Sequence, residues 1–384
     1  MGNTPESISH IRIGETEFPI DAVTVQGKSL PDENSLLPIV SSADEDKILM
    51  VLQGQWGMYN PGDLYDLING IPCGDSSYIP DWGDSESEGP YDYSKDYLTL
   101  EVLDGGTIKW NAIGDDSAKT ISYSLNDGSW TQITSTAEGV TLNVSAGDKI
   151  RLKGSNTTYA TSNTVFSGFG GGEGVTGTAT FDVSGNIMSL IYGDYFANQT
   201  ALTGTNNFQS LFDGSNVVSA GNLILPSMTL TPHCYRAMFA NCAYFTTAPA
   251  LPATTIAESC YRFMFSADNL LTSVPEILPA TTLYKECYYG MFNACKSLTA
   301  APELPATTLT TSCYKQMFMN CSHLTYIKCL ATTNIGSGYT TNWLGGSIPN
   351  NADCTFVRAS ENVSWPIGKV EGIPSKWTIV NASE

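Results

Sequence analysis

Residues 225–329 write one pattern four times over: "LPSMTLTPHCYRAMFANCAYFTTAPA", "LPATTIAESCYRFMFSADNLLTSVPEI", "LPATTLYKECYYGMFNACKSLTAAPE" and "LPATTLTTSCYKQMFMNCSHLTYIKC". A unit of 26 or 27 residues cannot enclose a core of its own, so its copies must stack and bury one continuous core between them. A degenerate unit, "FQSLFDGSNVVSAGNLI", precedes the array and a decaying one, "LATTNIGSGYTTNWLGG", follows it, as the exposed ends of a stack require. Tyr235, Met238 and Phe239, like Tyr314, Met317 and Phe318, stand at i, i+3 and i+4, which predicts one face of a short helix. The "LTTAP"-like segment that follows is short and β-prone, and Pro226, Pro252, Pro279 and Pro305 mark the start of each unit. The expectation is a repeated coil of strand and short helix.

The cysteines obey the same period. Cys234, Cys260, Cys287 and Cys313 recur once per unit, and Cys242, Cys295 and Cys321 recur eight residues later. A repeated position asks for repeated packing, and cysteine packs as a small hydrophobe, so buried free thiols are expected rather than disulfides. No CxxC pair accompanies them to suggest zinc. In the second unit Asp268 replaces the second cysteine, a costly substitution in a packed column unless the carboxylate is hydrogen-bonded or exposed. Because that unit is also one residue longer, a local distortion of the coil is expected there.

Ahead of the repeats the chain changes character twice. Residues 1–60 read as a β-rich module: "HIRIGETEFPI" and "DAVTVQG" alternate apolar and polar residues, Gly14 and Glu15 supply a turn, and "KILMVLQGQWGMYN" gives a third strand. Residues 61–96 read as an extended linker rich in Pro, Gly and acidic residues. From about Tyr97 the period becomes two, through "YLTLEVL", "GTIKWNA", "TISYSLNDGSWTQI", "GVTLNVSAGDKIRLKG" and "GTATFDVSGNIMSL". Asn126-Asp127-Gly128 signals a hairpin, with Asp-Gly accepting the positive φ of a primed turn. Residues 97–195 therefore read as a β-sandwich, 196–345 as the repeat array and 346–384 as its cap. The glycine cluster from Gly168 to Gly174 reads as a flexible loop, since "GFGGGEG" lacks the Lys-Ser/Thr ending of a P-loop. The fold class is mainly β with short helices.

"LPATTL", "CYxxMFxxC" and "LTxAPELPATTL", with "GNIMSLIYGDYF" before the array and "GIPSKWTIVNA" after it, resemble the BspA-like leucine-rich-repeat proteins of gut Bacteroidales and of the phages that infect them. The resemblance covers roughly residues 95–384 and implies a leucine-rich-repeat solenoid in a cell-surface or virion adhesion module. Residues 1–60, with "IVSSADEDKILMVLQGQWGMYN", look like the attachment segments of phage fibre proteins. That likeness implies a homotrimer joined through the N-terminal strands, because no heptad of apolar a and d positions offers a coiled coil.

Charge narrows the partners. The net charge is −20, of which residues 1–97 carry −14, and the 18 Lys and Arg are scattered, so nucleic acid is not an expected partner. No apolar run is long enough to suggest a membrane span, and no basic n-region with an apolar h-region marks a signal peptide, so manufacture in a host cytoplasm is expected. No cofactor or metal is expected. His233 beside Cys234 does not suggest a thiol–imidazole pair, because adjacent residues rarely face one another and Cys234 belongs to a packing column. The acidic pairs Asp81 with Asp84, and Asp115 with Asp116, read as solvated turn and linker residues rather than a glycosidase dyad. The tyrosine column Tyr235, Tyr261, Tyr288 and Tyr314 reads as core rather than a sugar-stacking surface.

Beside it, Arg236, Arg262, Tyr289 and Lys315 vary between otherwise similar units, as solvent exposure permits and as a ligand-reading face also would. They are the candidate contact residues. The function expected is a structural virion protein, a head or tail fibre or decoration protein and not an enzyme. It would bind other virion proteins through its N-terminal module and a host surface protein or glycan through its repeats. The alternatives are a bacterial cell-surface leucine-rich-repeat adhesin and a tail-associated polysaccharide depolymerase.

Overall fold

The computed structural model describes residues 92–115, 117–171 and 176–382, and within the first 59 residues the backbone of five strands. The chain divides into two compact units, Met1–Tyr91 and Asp92–Glu384. It is mainly β, with a single short α-helix, Ser189–Tyr192, among the described residues.

In the first unit β1 (His10–Ile13) and β2 (Thr16–Pro19) pair antiparallel, and β3 (Leu36–Leu37), β4 (Ile48–Leu52) and β5 (Gln55–Tyr59) form a second sheet. The single strand expected over "KILMVLQGQWGMYN" is instead the antiparallel pair β4 and β5, in register from Ile48 opposite Tyr59 to Leu52 opposite Gln55. The strand expected at "DAVTVQG", the turn at Gly14 and Glu15, and residues 61–91 of the linker expected over 61–96 lie outside the described residues; its end, residues 92–96, is not an extended linker but belongs to the second unit, where Tyr93–Lys95 form a 3-10 turn and the Ser94 carbonyl accepts from Asn186 Nδ2 at 2.9 Å.

The second unit opens with two sheets. One runs in the order β15-β14-β6-β11-β8-β9, built from β6 (Leu98–Asp104), β8 (Thr120–Leu125), β9 (Thr131–Thr134), β11 (Lys149–Gly154), β14 (Thr180–Asn186) and β15 (Asn222–Ile224). The other runs β10-β7-β13-β12, from β7 (Gly106–Ile113), β10 (Val140–Val144), β12 (Ala160–Ser162) and β13 (Val165–Gly168). Alternation places Leu98, Leu100 and Val102 of β6, and Ile150 and Leu152 of β11, in the core, where they join Ile108 and Trp110 of β7 in one apolar cluster. The hairpin between β8 and β9 forms where expected, but the positive φ values fall on Asn126 (47°) and Asp127 (61°), and Gly128 closes the turn by donating its N–H to the Leu125 carbonyl at 2.9 Å.

The glycine cluster is not a loose loop over its described part. Gly168 ends β13, and a Cβ built on Gly168 would lie 2.7 Å from the Leu211 carbonyl oxygen; on Gly170 it would lie 2.1 Å from that of Asp213. Glycine is required here because the strand end is pressed against the backbone of the first, degenerate repeat. Gly172 to Gly174 lie outside the described residues.

β14 is the hinge between two kinds of pairing. It is antiparallel to β6 and parallel to β15, and parallel bridges continue from Phe181 to Val217, Ser219 to Thr247 and Thr247 to Ser273, then from Ala300 to Tyr326. The same parallel sense closes the array, where β16 (Tyr326–Cys329), β17 (Thr355–Arg358) and β18 (Thr378–Asn381) form a three-stranded sheet.

The helix expected at Tyr235, Met238 and Phe239 does not form. Instead overlapping four-residue turns follow one another, Arg236 N–H to His233 carbonyl at 3.2 Å and Met238 N–H to Tyr235 carbonyl at 3.3 Å. Every fourth residue has a left-handed backbone: His233, Ala237 and Asn241 in the first unit, Ser259, Phe263 and Ala267 in the second, Glu286, Gly290 and Ala294 in the third, Ser312, Gln316 and Asn320 in the fourth. The intervening N–H groups reach across to the next unit: Tyr235 to Cys260 at 3.0 Å, Ala237 to Arg262 at 2.9 Å and Phe239 to Met264 at 3.0 Å. Half the donors thus close local turns and half join neighbours, and a buried backbone is satisfied without a helix.

This geometry stacks rings. Phe208, Tyr235, Tyr261, Tyr288, Tyr314 and Trp343 form one aromatic column with successive centroids 5.7 to 6.4 Å apart, and Phe169, Phe212, Phe239, Phe265, Phe292 and Phe318 form a second at 5.2 to 6.1 Å. Both columns reach back into the sheets, since Tyr159 packs on Phe208 and on Trp110, and Phe169 packs on Trp110. The segments 97–195, 196–345 and 346–384 consequently share one core.

Candidate functional site

The variable column is where the sequence places it, one residue after each buried tyrosine. Arg236, Arg262, Tyr289 and Lys315 are all half-buried, and the turns carry them outward while Tyr235, Tyr261, Tyr288 and Tyr314 point into the core. Three of the four engage each other. The Arg262 guanidinium lies 4.5 Å from the centre of the Tyr289 ring, and the Lys315 ammonium lies 5.2 Å from it, so the ring has two cations on it. Phe263 packs beside Tyr289 at 5.0 Å between centroids, over Gly290, where a Cβ would collide with the Phe263 ring. Arg262 is also ion-paired with Glu286 of the next unit, whose carboxylate accepts from Ser259 Oγ at 3.4 Å, and Lys285 pairs with Glu258 at 2.8 Å.

Arg236 is different. It makes no ion pair among the described residues, and burial together with the charge of Arg262 pushes its guanidinium below the usual arginine range against the opposing pull of Glu286. His233, in the turn before it, is also pushed down, first by burial and then by Arg236, and its Nδ1 is buried without a hydrogen-bond partner. Residues 196–345 hold six Lys and Arg against six Asp and Glu. Burial pushes Asp213 up to about 6, which leaves it mostly ionised at neutral pH, and pushes Asp268 well above the ordinary carboxylate range.

The cysteines are core. The nine cysteines among the described residues are unbridged and buried, and burial raises the thiols of the repeated columns, for example Cys313 to about 11 and Cys260 to about 12. A nucleophilic thiol needs the opposite shift, so Cys234 and His233 are not an activated pair. Cys73 lies outside the described residues, as do Asp81, Asp84 and Asp116.

Asp268 corrects one expectation. The second coil is not distorted at this position: Ala267 keeps φ at 67°, beside 60° for Asn241, 62° for Ala294 and 63° for Asn320. In the equivalent columns the thiols of Cys242, Cys295 and Cys321 donate to the carbonyls of Phe212, Phe265 and Phe292 at 3.1, 3.0 and 2.9 Å. Asp268, fully buried, instead accepts the Cys242 N–H at 2.8 Å, and its second oxygen has no partner. The extra residue of the unit is taken up between Leu271 and Leu278, where Ile277 is exposed.

A second charged cluster on the six-stranded sheet was not singled out from the sequence. Lys153 lies 4.2 Å from the Trp130 ring centre and 2.7 Å from Asp194, which also accepts the Tyr97 hydroxyl at 2.7 Å. Burial and Asp194 hold the Tyr97 phenol up at about 12. The signal was in β11, where Lys149, Arg151 and Lys153 alternate with the buried Ile150 and Leu152. Its groups satisfy one another, as a structural clamp does. Tyr123 of β8, Ile150 of β11 and Leu142 and Val144 of β10 line a small open cleft of about 250 Å³.

Among the described residues no group of His, Cys, Asp and Glu could hold a metal ion, and no helix is long and apolar enough to cross a membrane. Compared with protein-family models, curated proteins and solved structures, the chain matches none of them.

Proposed function

We propose that this chain is a structural protein of a phage virion, a head or tail fibre or decoration protein. Residues 1–60 attach it to the particle, and residues 97–345, a β-sandwich followed by a leucine-rich-repeat solenoid, display a surface to a host protein or glycan. The observation that carries the reading is the division of labour within each coil. Tyr, Met, Phe and Cys are committed to stacking, which leaves the chemistry that varies, Arg236, Arg262, Tyr289 and Lys315, on an outward column. A scaffold that holds a row of interchangeable side chains at fixed spacing is suited to contact rather than to turnover.

Gold-labelled antibody against Asp92–Glu384, applied to purified particles and to host cells, tests this. Label on the particles is the expected result. Label confined to a bacterial envelope would favour the cell-surface adhesin, and release of reducing sugar from host capsule by the purified chain would favour the depolymerase. The proposed homotrimer is joined through residues 1–60, so their deletion should give a monomer in light scattering.

A further inference from the structure

One unit of the repeat shows what its neighbour lacks. Arg262 is neutralised by Glu286, which stands immediately before the first cysteine of the following unit. For Arg236 the corresponding residue is Ser259, which has no charge to offer and whose hydroxyl is already donated to Glu286. For Lys315 the corresponding unit carries Gly338 opposite Ser312, and no carboxylate pairs with that lysine among the described residues. Arg236 thus sits half-buried in the field of a second arginine and of the Glu286 that pairs with it, next to His233 with its buried, unpartnered Nδ1, and has no ion pair of its own among the described residues.

We propose that Arg236, with His233 and Arg262 beside it, forms an oxyanion site that binds the acid group of an anionic glycan in the place that Glu286 fills for Arg262 one unit further on. An oxyanion there would accept charge-assisted hydrogen bonds from Arg236, the cation that Glu286 does not pair with. That the acid is borne by a glycan rests on the proposed function, whereas the preference for an anion rests on the column alone. Carboxylate and sulfate share this chemistry.

The test is titration calorimetry with the full chain and three probes: oligogalacturonate for carboxylate, a heparin-type oligosaccharide for sulfate, and neutral dextran. At least one acidic oligomer should bind and dextran should not, with the tighter of the two acids identifying the source. Arg236→Gln should weaken that binding tenfold or more. Ser259→Glu should abolish it by supplying the missing carboxylate from within; Glu286 already adopts the same left-handed backbone, φ 55° against 54° at Ser259, so the backbone accepts the substitution. Lys328→Gln, at an ion pair with Glu303 outside the column, should leave binding unchanged. Should the Ser259 variant fail to fold, Arg236→Gln decides alone. Acidic oligomers binding no better than dextran, or an Arg236→Gln affinity within twofold of the parent, would overturn the site. Label on particles without acid binding would remove this inference and leave the virion reading standing.

Discussion

The two sheets and the repeat coils satisfy the same backbone demands in opposite ways. In β8 and β9 each strand finds its partner across a five-residue loop, 126–130, that the turn at Asn126 and Asp127 begins. In the coils a residue such as Tyr235 finds its backbone partner at Cys260, a whole unit away, and local hydrogen bonds serve only to bend the chain. The difference shows what a repeat achieves: non-local pairing becomes as well specified as a hairpin, because every unit offers the same row of donors and acceptors to the next.

The comparison is broken most severely by removing a ring from a column. Phe265 stacks between Phe239 and Phe292, at 6.1 and 5.6 Å, and packs on Phe245 at 5.9 Å. Phe265→Ala should cost about 3 to 5 kcal/mol in chemical denaturation. Because sheets and coils share one core, the loss should appear in a single transition that includes the tryptophan signal of the sheets.

The seam between the regions is the next test. Gly170→Ala forces a Cβ against the Asp213 carbonyl and should destabilise by roughly 1 to 3 kcal/mol, the range of overpacking in a tight contact. A thermal melt that stayed unchanged would mean that the strand end and the first coil are not in contact in solution.

Asp268→Cys restores the column and should stabilise at pH 7 by about 1 to 3 kcal/mol, the cost of a buried polar group left without its partner. The sign of the pH dependence follows from burial. An acid whose folded value is raised keeps its proton longer in the folded state, so its favourable contribution is complete below the unfolded value of about 4 and is lost as pH rises toward the folded one. The advantage of the cysteine variant should therefore grow from pH 4 upward. Asp213, raised to about 6, should add a dependence between about 4 and about 6 in both proteins, which Asp213→Asn removes.

The smallest effect is expected at Tyr288, whose hydroxyl is buried without a hydrogen-bond partner. Tyr288→Phe keeps the stacked ring and should change stability by less than about 0.5 kcal/mol or raise it slightly. A larger loss would show that the tyrosine column is tied together through its hydroxyls as well as its faces.

Strands, the hairpin at Asn126-Asp127 and the buried cysteine columns were legible in the sequence, since period two and period 26 each survive in the order of the letters. The helix was misread for a definable reason. Tyr235, Met238 and Phe239 fit a helical turn of 3.6 residues and a ribbon of four-residue turns equally well, because the two drift apart by less than one residue over two turns. Gly290, Asn241 and Asn320 at left-handed positions were the available clue, diluted by Phe263 and Gln316 in the column of Gly290 and by Ala267 and Ala294 in that of the two asparagines. Of the candidate face, the alignment of units located the column but not its pairing, because the Arg262–Glu286 bond joins residues of different units.

The alternation of turn-closing and outward N–H groups has a consequence for the gene. Each unit brings both the donors it offers onward and the carbonyls its predecessor needs, so a whole unit copied or deleted leaves no backbone group stranded. Reach and the number of outward side chains can change by recombination between near-identical stretches of coding sequence, with no repair of the core. Only the glycine seam and the terminal parallel sheet must be inherited intact.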